Sequence, residues 1–359
     1  MPTTVVKTIG SSGGRDYSTL QAWEDAAPAN LVTADQVWQG QCYNDSEFFS
    51  LGGSTFLNIS GSTSDATRYK ELTVAAGQSF QDAAGVRSNA LQYNVANGVG
   101  IRGVLLSNVP IAMGEDYCRI NRIQLLLNEN NYSQLLITTG ASAGGMILKD
   151  CILDALNPDA TFGILAFDAT NTAIPNQLIN VSAYIRGTGG NGAYIGRGTA
   201  IACNWIRTSS NTAAGIGILG GNDTCALVNC AIFGFVTPAA AIGTFVTTNC
   251  KNNATDQSSG LPGSGQQYSV TYNSTTPFVL SSANGTGGTY DLRAAAATAL
   301  NTHGTFVSTA NFDISLTTRA TNPTIGAWEL TTAVTTTDPP FYVQRVNIPL
   351  HWIRSIVYQ

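Results

Sequence analysis

Acids, thiols and imidazoles are the groups in this 359-residue chain that could do chemistry, and few of them are spaced for it. Paired carboxylates would suit glycoside hydrolysis, one as acid and the other as base or nucleophile. Glu115 and Asp116 are adjacent, so a strand would send them to opposite faces. A turn would leave both in water, and a solvated turn is the default reading. Asp150 and Asp154 flank Cys151 and would share a face in one continuous strand, but a turn is expected before Asp154. Asp159 and Asp168 fall in loop-like stretches with no basic neighbour. Seven cysteines stand at 42, 118, 151, 203, 225, 230 and 250, an odd number without a CxxC, and the two histidines are His303 and His351. Zinc needs such ligands clustered, and a disulfide framework is not expected at this length without a secretory signal. The thiols read as small buried apolar residues. No calcium loop, Walker loop, HExxH or GxSxG motif is present. The expectation is therefore no cofactor, no metal and no catalytic residue; the alternative is a carboxylate pair assembled from distant parts of the chain.

Composition narrows the class further. Only 11% of residues are charged, against roughly 25% in ordinary soluble proteins. With 43% hydrophobic residues the chain can bury a core and is not of the disordered type. The net charge is −5, and 4 Lys and 13 Arg form no basic block, so no nucleic-acid partner is expected. No apolar run approaches the ~20 residues of a membrane span. The opening MPTTVVKTIG lacks the pattern of an export signal, which predicts cytoplasmic synthesis. Thirty-seven glycines, with abundant Thr, Asn and Ser, favour strands and tight turns. A surface of that kind suits a protein packed among others.

The elements that must position these groups form a series. Ser18 and Gln21 have capping-box spacing, and Leu20, Trp23 and Ala27 share one face before Pro28. This predicts a short helix within residues 1–30 that caps a stacked core. From 31 to 329, short segments recur in which a small or polar residue is flanked by apolar ones. Ile123, Cys151, Ser182, Asn204, Cys230 and Cys250 can be set in one column, with spacings of 28, 31, 22, 26 and 20. Periods in this range indicate a stacked array, and each unit is too short for a strand–helix–strand crossover. Gly187–Gly192 and Gly217–Asn222 supply turns between units. The fold class that results is all-β, a parallel β-helix (solenoid) with a capping helix and a C-terminal extension. A β-sandwich, with strands every 8–12 residues, ranks second. The column then reads as an interior stack of small residues with asparagines bonding along the axis. Ser258–Gly265 reads as a loop or boundary, Tyr268–Tyr272 and Phe278–Leu280 as strands, and Ala294–Asn301 as helical. In the tail, 330–359, Thr335–Pro340 looks like a linker. Beyond it Val346, Ile348, Leu350 and Trp352 alternate with Arg345, Asn347, Pro349 and His351, a strand pattern. Such a strand either folds back on its own coil or augments the sheet edge of a neighbouring subunit.

Two ends of the chain carry a family resemblance. Asp16–Glu24, with Ile59–Thr63 and Asn94–Ile101, resembles right-handed parallel β-helix proteins of the pectate-lyase-like superfamily, most of all those of tailed bacteriophages. Asp313–Glu329, ending Ile-Gly-Ala-Trp-Glu, is similar to the closing rung of such proteins. The resemblance spans residues 5–329 and its motifs are signatures of fold, not of an active site. It implies a right-handed coil and a virion component. The first reading is a non-catalytic capsid decoration protein on the head surface, attached through Val346, Ile348, Leu350 and Trp352 to other virion proteins, the major capsid protein foremost. The second is a tail spike or fibre that binds or depolymerises host surface polysaccharide. Decoration is preferred because the cap begins by residue 16 and leaves no room for the N-terminal particle-binding domain usual in spikes. The resemblance also implies a homo-oligomer, with a trimer as the common case. A free secreted polysaccharide lyase ranks last, since no export signal is seen.

Overall fold

The computed structural model describes residues 1–45, 49–51, 57–82, 91–103, 110–127, 137–139, 144–155, 165–167, 174–186, 191–207, 215–221, 225–241, 245–273, 276, 278–280, 291–295 and 298–330. The chain winds through three parallel sheets in turn. The first sheet contains β1 (Thr3–Ile9), β2 (Gln36–Cys42) and then Lys70–Val74, Arg119–Asn121, Ile147–Lys149, Asn176–Ile179, Gly198–Ile201 and Ala226–Val228. The second runs from Phe49–Leu51 through Gly100–Gly103, Gln124–Leu127, Ile152–Ala155, Ser182–Ile185, Asn204–Arg207 and Ala231–Phe233 to Ala254–Thr255. The third runs from Leu57–Ile59 to Thr237–Ala241. Each inner strand pairs with its equivalents one coil before and one coil after, so the fold is a parallel β-helix. The interior is a set of in-register columns. Leu72, Ile120, Leu148, Leu178, Ala200 and Leu227 stack in the first sheet, and Ile101, Leu125, Leu153, Ala183, Trp205 and Ile232 in the second. A coil closed on itself leaves such side chains no alternative partner, and their burial supplies the main driving force.

Phase is set at the corner between the first and second sheets. Two residues make each corner, and the first lies in the left-handed region: Arg122, Asp150, Asn180, Ala202, Asn229 and Asn252, with φ from 52 to 65°. The second points inward and is fully buried: Ile123, Cys151, Val181, Cys203, Cys230 and Asn253. Asn and Asp tolerate left-handed backbone better than other side chains, which accounts for most of the first set. The inward set must be compact. Where it is Cys, the thiol donates to the carbonyl two residues earlier: Cys151 to Lys149 (3.2 Å), Cys203 to Ile201 (3.3 Å) and Cys230 to Val228 (3.6 Å). Asn253 instead bonds down the axis, accepting from Cys230 N at 2.8 Å and donating to Leu227 O at 2.9 Å.

The column expected from the sequence is thus only partly one column. Ile123, Cys151 and Cys230 share it. Ser182 and Asn204 lie one residue further on, paired with each other at the start of second-sheet strands, and Val181 and Cys203 occupy the corner. Cys250 lies three residues short of Asn253, just after a 3-10 turn at Thr247–Asn249. Asn204 is polar for another reason: it faces outward, accepting from Ala327 N (3.1 Å) and donating to Leu292 O (3.2 Å).

Both ends are sealed. Helix α1 (Leu20–Asp25) has Thr19 as N-cap, accepting from Ala22 N at 3.1 Å, one residue past Ser18 where the capping-box spacing puts it. Leu20 and Trp23 lie over Ile9, Trp38 and Leu57. Gln21 is released from the expected cap and accepts from Asn58 N (2.8 Å), while Glu24 accepts from Ser60 N (3.0 Å). These two side chains occupy donors along the open edge of the third sheet, the part of a β-helix most exposed to wrong pairing. Residues 1–30 are accordingly more than a cap, because β1 already belongs to the first coil. At the far end 258–270 forms one more irregular turn, with Gln267 N on Asn253 O (2.8 Å) and Leu261 over the core.

The strand Phe278–Leu280 pairs antiparallel with Asp291–Ala294, and the chain then returns along the outside. Leu292, Leu300, Ile314, Ile325 and Trp328 cover the outer face of the second sheet, Ile152, Tyr184, Ile206 and Phe233. The strap reaches back as far as Gln81, whose amide donates to Ile314 O at 2.7 Å. Asp313–Glu329 therefore lies alongside the coil and does not form a closing rung across its end. Ala294–Asn301 is not helical in its described part: Ala294 ends a strand and 299–302 is turn. The tail residues Val346, Ile348, Leu350 and Trp352 lie outside the described residues.

One buried ion cluster fastens the cap to the coils. Lys70 Nζ, 1% exposed, donates to Glu24 (2.5 Å), Glu115 (2.9 Å) and Ser60 O (2.9 Å). Removing the cation from such a cluster is costly because it leaves buried charge uncompensated. Lys70→Ala is expected to lower stability by about 3–5 kcal/mol, read as a fall in the urea midpoint, with Lys70→Met/Glu115→Gln recovering part of it.

Candidate functional site

A groove of about 670 Å³ runs along the outer face of the first sheet, between its corner and the returning strap. Strand alternation places Glu71, Thr73, Asn121 and Lys149 on this face, with Asn121 and Lys149 in register on neighbouring coils. The corner supplies Arg122, Asp150 and Asn180, and the strap supplies Asn311, Phe312 and Leu316. Further along, the same face turns apolar, and Ile179, Ile201 and Ala202 are covered by Ala310 and Val307. The groove is the part of the sheet that the strap does not seal.

Most of its charges are already engaged. Glu71 accepts from Gln39 (2.7 Å) and Asn121 (2.5 Å). Arg122 pairs with Asp82 at 2.7 Å and donates to Gln81 at 2.8 Å. Asp150, 8% exposed, accepts from Asn180 Nδ2 at 2.8 Å, and that amide also donates to Phe312 O at 2.8 Å. Asn180 Oδ1 accepts from Arg319 of the strap at 3.2 Å. Burial pushes the Asp150 carboxyl up to about 6, against the opposing pull of Lys149 and of the Asn180 hydrogen bond. Lys149 makes no ion pair with a described residue. The groove thus holds an acid that exchanges its proton near neutrality beside an amine, flanked by amides and by Phe312, which is 40% exposed. Such a set can hydrogen-bond a polyhydroxylic or carboxylated ligand.

The other acids singled out from the sequence lie elsewhere. The corner does intervene between Asp150 and Asp154, and Asp154 sits in the second sheet, paired with Arg186 at 2.8 Å. Glu115 and Asp116 lie in a turn, but Glu115 is not solvated: it is 7% exposed, bound to Lys70, and burial raises its pKa. Asp116 accepts from Gly144 N at 2.7 Å. Asp159 and Asp168 lie outside the described residues. All seven thiols are free and buried, so they fill space in the core, and burial pushes Cys151 up to about 12, which disfavours its thiolate. His303 is exposed, away from the groove. Among the described residues no three His, Cys, Asp or Glu side chains are grouped as a metal-binding set, and no helix is long and apolar enough to cross a membrane. Sequence reading missed the groove itself. Its one local signal is the charged pair Lys149–Asp150 set directly before an inward Cys151.

No protein-family model matches the chain, and no curated protein matches its sequence. Among solved structures it is similar to the crystal structure of pectate lyase Pel9A, at 12% identity, covering 92% of this chain and 97% of that one with a TM-score of 0.38. The parallel β-helix itself is established by the register of the three sheets.

The raised Asp150 has a consequence for stability. Its folded pKa lies above the ordinary carboxylate value, so the native state holds this proton more tightly than the unfolded chain. The penalty is absent below about pH 4 and grows as pH rises through about 6. Asp150→Asn keeps the acceptor for Asn180 and removes the charge. Thermal melts should show the variant more stable than the parent at about pH 7, by roughly 2–3 kcal/mol, with the gap closing by about pH 4.

Proposed function

We propose that the chain is a structural component of a tailed-phage virion, a non-catalytic β-helix that decorates the capsid surface. One observation carries the non-catalytic part. Each carboxylate whose side chain is described accepts a hydrogen bond or ion pair from the protein itself, from Asp16 and Glu24 at the cap to Asp313 and Glu329 in the strap. Several of these acids are committed to ion pairs that hold the scaffold together, Glu24 to Lys70, Asp154 to Arg186 and Glu329 to Arg319. The inert thiols and the low charge point the same way. The virion part rests on the resemblance of Asp16–Glu24, Ile59–Thr63 and Asn94–Ile101, and on the alternating Val346, Ile348, Leu350 and Trp352, which would need a surface to cover them. The partner in this reading is the major capsid protein, and the decorating unit is a homo-oligomer, a trimer by the same resemblance.

The lateral groove favours one other reading, a tail spike or fibre that binds host surface glycan. Asp150, Lys149, Asn121 and the half-exposed Phe312 are the residues it would use. Two measurements separate the readings. Deletion of residues 335–359 should leave the folded body intact and abolish its binding to capsids, and undiminished occupancy would refute attachment through the tail. Incubation with host capsule should release neither reducing sugar nor unsaturated uronate, and release of either would refute the non-catalytic assignment.

A further inference from the structure

The strap holds the roof of the groove unevenly. On one side Thr305 is fixed to the coil, its N donating to Asn229 Oδ1 at 2.9 Å and its O accepting from Asn229 Nδ2 at 2.7 Å. On the other side Ile314 is fully buried over the second sheet, and its O accepts from Gln81. Between these anchors, residues 306–312 lie mostly in solvent. Phe306 is 46% exposed and Phe312 40%, and of the seven residues only Ala310 is buried. Two things hold the segment down among the described residues. Ala310 and Val307 touch Ile179, Ile201 and Ala202, and the Asn180 amide donates to Phe312 O at 2.8 Å. A segment with so few buried contacts opens at a small fraction of the global stability.

The acid beneath the segment is the group that its opening would change. Asp150 lines the groove together with Thr309, Asn311 and Phe312, and its donor is the same Asn180 amide that holds Phe312 O. The charges around it come from each packed element. Lys149 on its own strand and Arg122 at the preceding corner favour the ionised form, although Arg122 is already paired with Asp82. Asp313 in the strap opposes it. Arg319 stands behind Asn180 and is engaged with Glu329 at 3.3 Å, and Glu71 in the groove is bonded to Gln39 and Asn121. Asn180 at the next corner brings no charge. We propose that 306–312 is a flap over the groove, latched through the Asp150–Asn180 pair while Asp150 carries its proton and loosened when that carboxyl ionises. Lifting Phe312 releases the Asn180 amide and lets water reach Asp150, and water favours the ionised form over the neutral one. Ionisation and opening therefore promote each other. The closed form holds the proton up to about pH 6 and a hydrated carboxyl only to about pH 4, so the latch is at full strength below about pH 4. As pH rises through about 6 the opening equilibrium gains, by up to about a hundredfold. The sign is opposite to that of an ion-pair latch, which acid would open. The inference stands on the groove alone and not on which ligand the groove takes.

The test is amide hydrogen exchange on the full chain, corrected for the intrinsic pH dependence of the exchange reaction. Two amides report the flap: Ala310 N, bonded to Val307 O at 2.9 Å, and Arg319 N, bonded to Asn311 O at 2.8 Å. Ile314 N, bonded to Ala327 O at 2.9 Å, reports the anchored part of the strap. Between about pH 4.5 and about pH 7.5 the protection of Ala310 and Arg319 should fall by up to about a hundredfold, with a midpoint near about 6. Ile314 should stay better protected than both at every pH. In Asp150→Asn the flap amides should remain protected at one level across the range. A level profile in the parent protein would overturn the proposal, and so would a fall of equal size in Asp150→Asn, which would assign the proton to another acid such as Glu329. One common rate for all three amides would also overturn it, because the strap would then open only as a whole. Should Asp150→Asn fail to fold, Asp150→Ser, which also removes the carboxyl, is read in the same way.

Discussion

The two-residue corner between the first and second sheets is the constraint on which the rest depends. Parallel strands pair in register only if every coil returns with the same phase. Here one left-handed residue followed by one inward residue fixes that phase on six successive coils, from Arg122 to Asn252. The left-handed step costs an ordinary side chain roughly 1–2 kcal/mol, yet Ala202 adopts it. Its amide donates to Val228 O at 2.8 Å and its own coil is bonded above and below, so the ladder over-determines the conformation. Chain composition follows from this geometry. Compact residues, mostly Cys or branched, stand on the inside, and Asn or Asp at four of the six outer positions.

A coil of parallel strands leaves two problems that its own repeat cannot solve. Its ends expose core and backbone, and the outer face of its second sheet carries Ile152, Tyr184, Ile206 and Phe233. Helix α1 answers the first with Leu20 and Trp23 over the core and with Gln21 and Glu24 on the edge amides. The strap answers the second by covering Ile152, Tyr184, Ile206 and Phe233. The groove follows from the limit of that coverage. Along one outer column of the first sheet, Asn121 and Lys149 give way to Ile179 and Ile201, and the strap seals only the apolar end. The open polar remainder is what a ligand could reach.

The coil is legible in the sequence because its period survives irregular loops, and Ile123, Cys151 and Cys230 all fall at the inward corner position. The phase was less legible. Ser182 and Asn204 slip by one because a polar residue at the corner and a polar residue beneath the strap look alike in a sequence, and only the partners Ala327 and Leu292 distinguish them. The strap itself was misplaced for a related reason. Ile314, Ile325 and Trp328 are as buried as rung residues, and burial on the outside of a sheet has the same composition as burial within it. Glu115 was placed in water since nothing near it in the chain forecasts Lys70. The groove was illegible because its roof comes from the strap more than 130 residues away from its floor, as in the contact of Asn180 with Phe312.

Buried charge divides this molecule into parts that hold and parts that could act. Where a carboxylate meets a cation, as Asp154 meets Arg186 or Glu24 meets Lys70, both are spent on joining segments remote in sequence. Asp150 differs in that its bonded partner is an amide, Asn180, so burial acts on it with weaker opposition and its proton becomes labile near neutrality. Glu115 is intermediate, since Lys70 satisfies one oxygen and leaves the other. These two acids are bonded by the scaffold yet only in part neutralised by it. Both lie beside cavities, and an acid neutralised only in part is where a change of protonation has most effect.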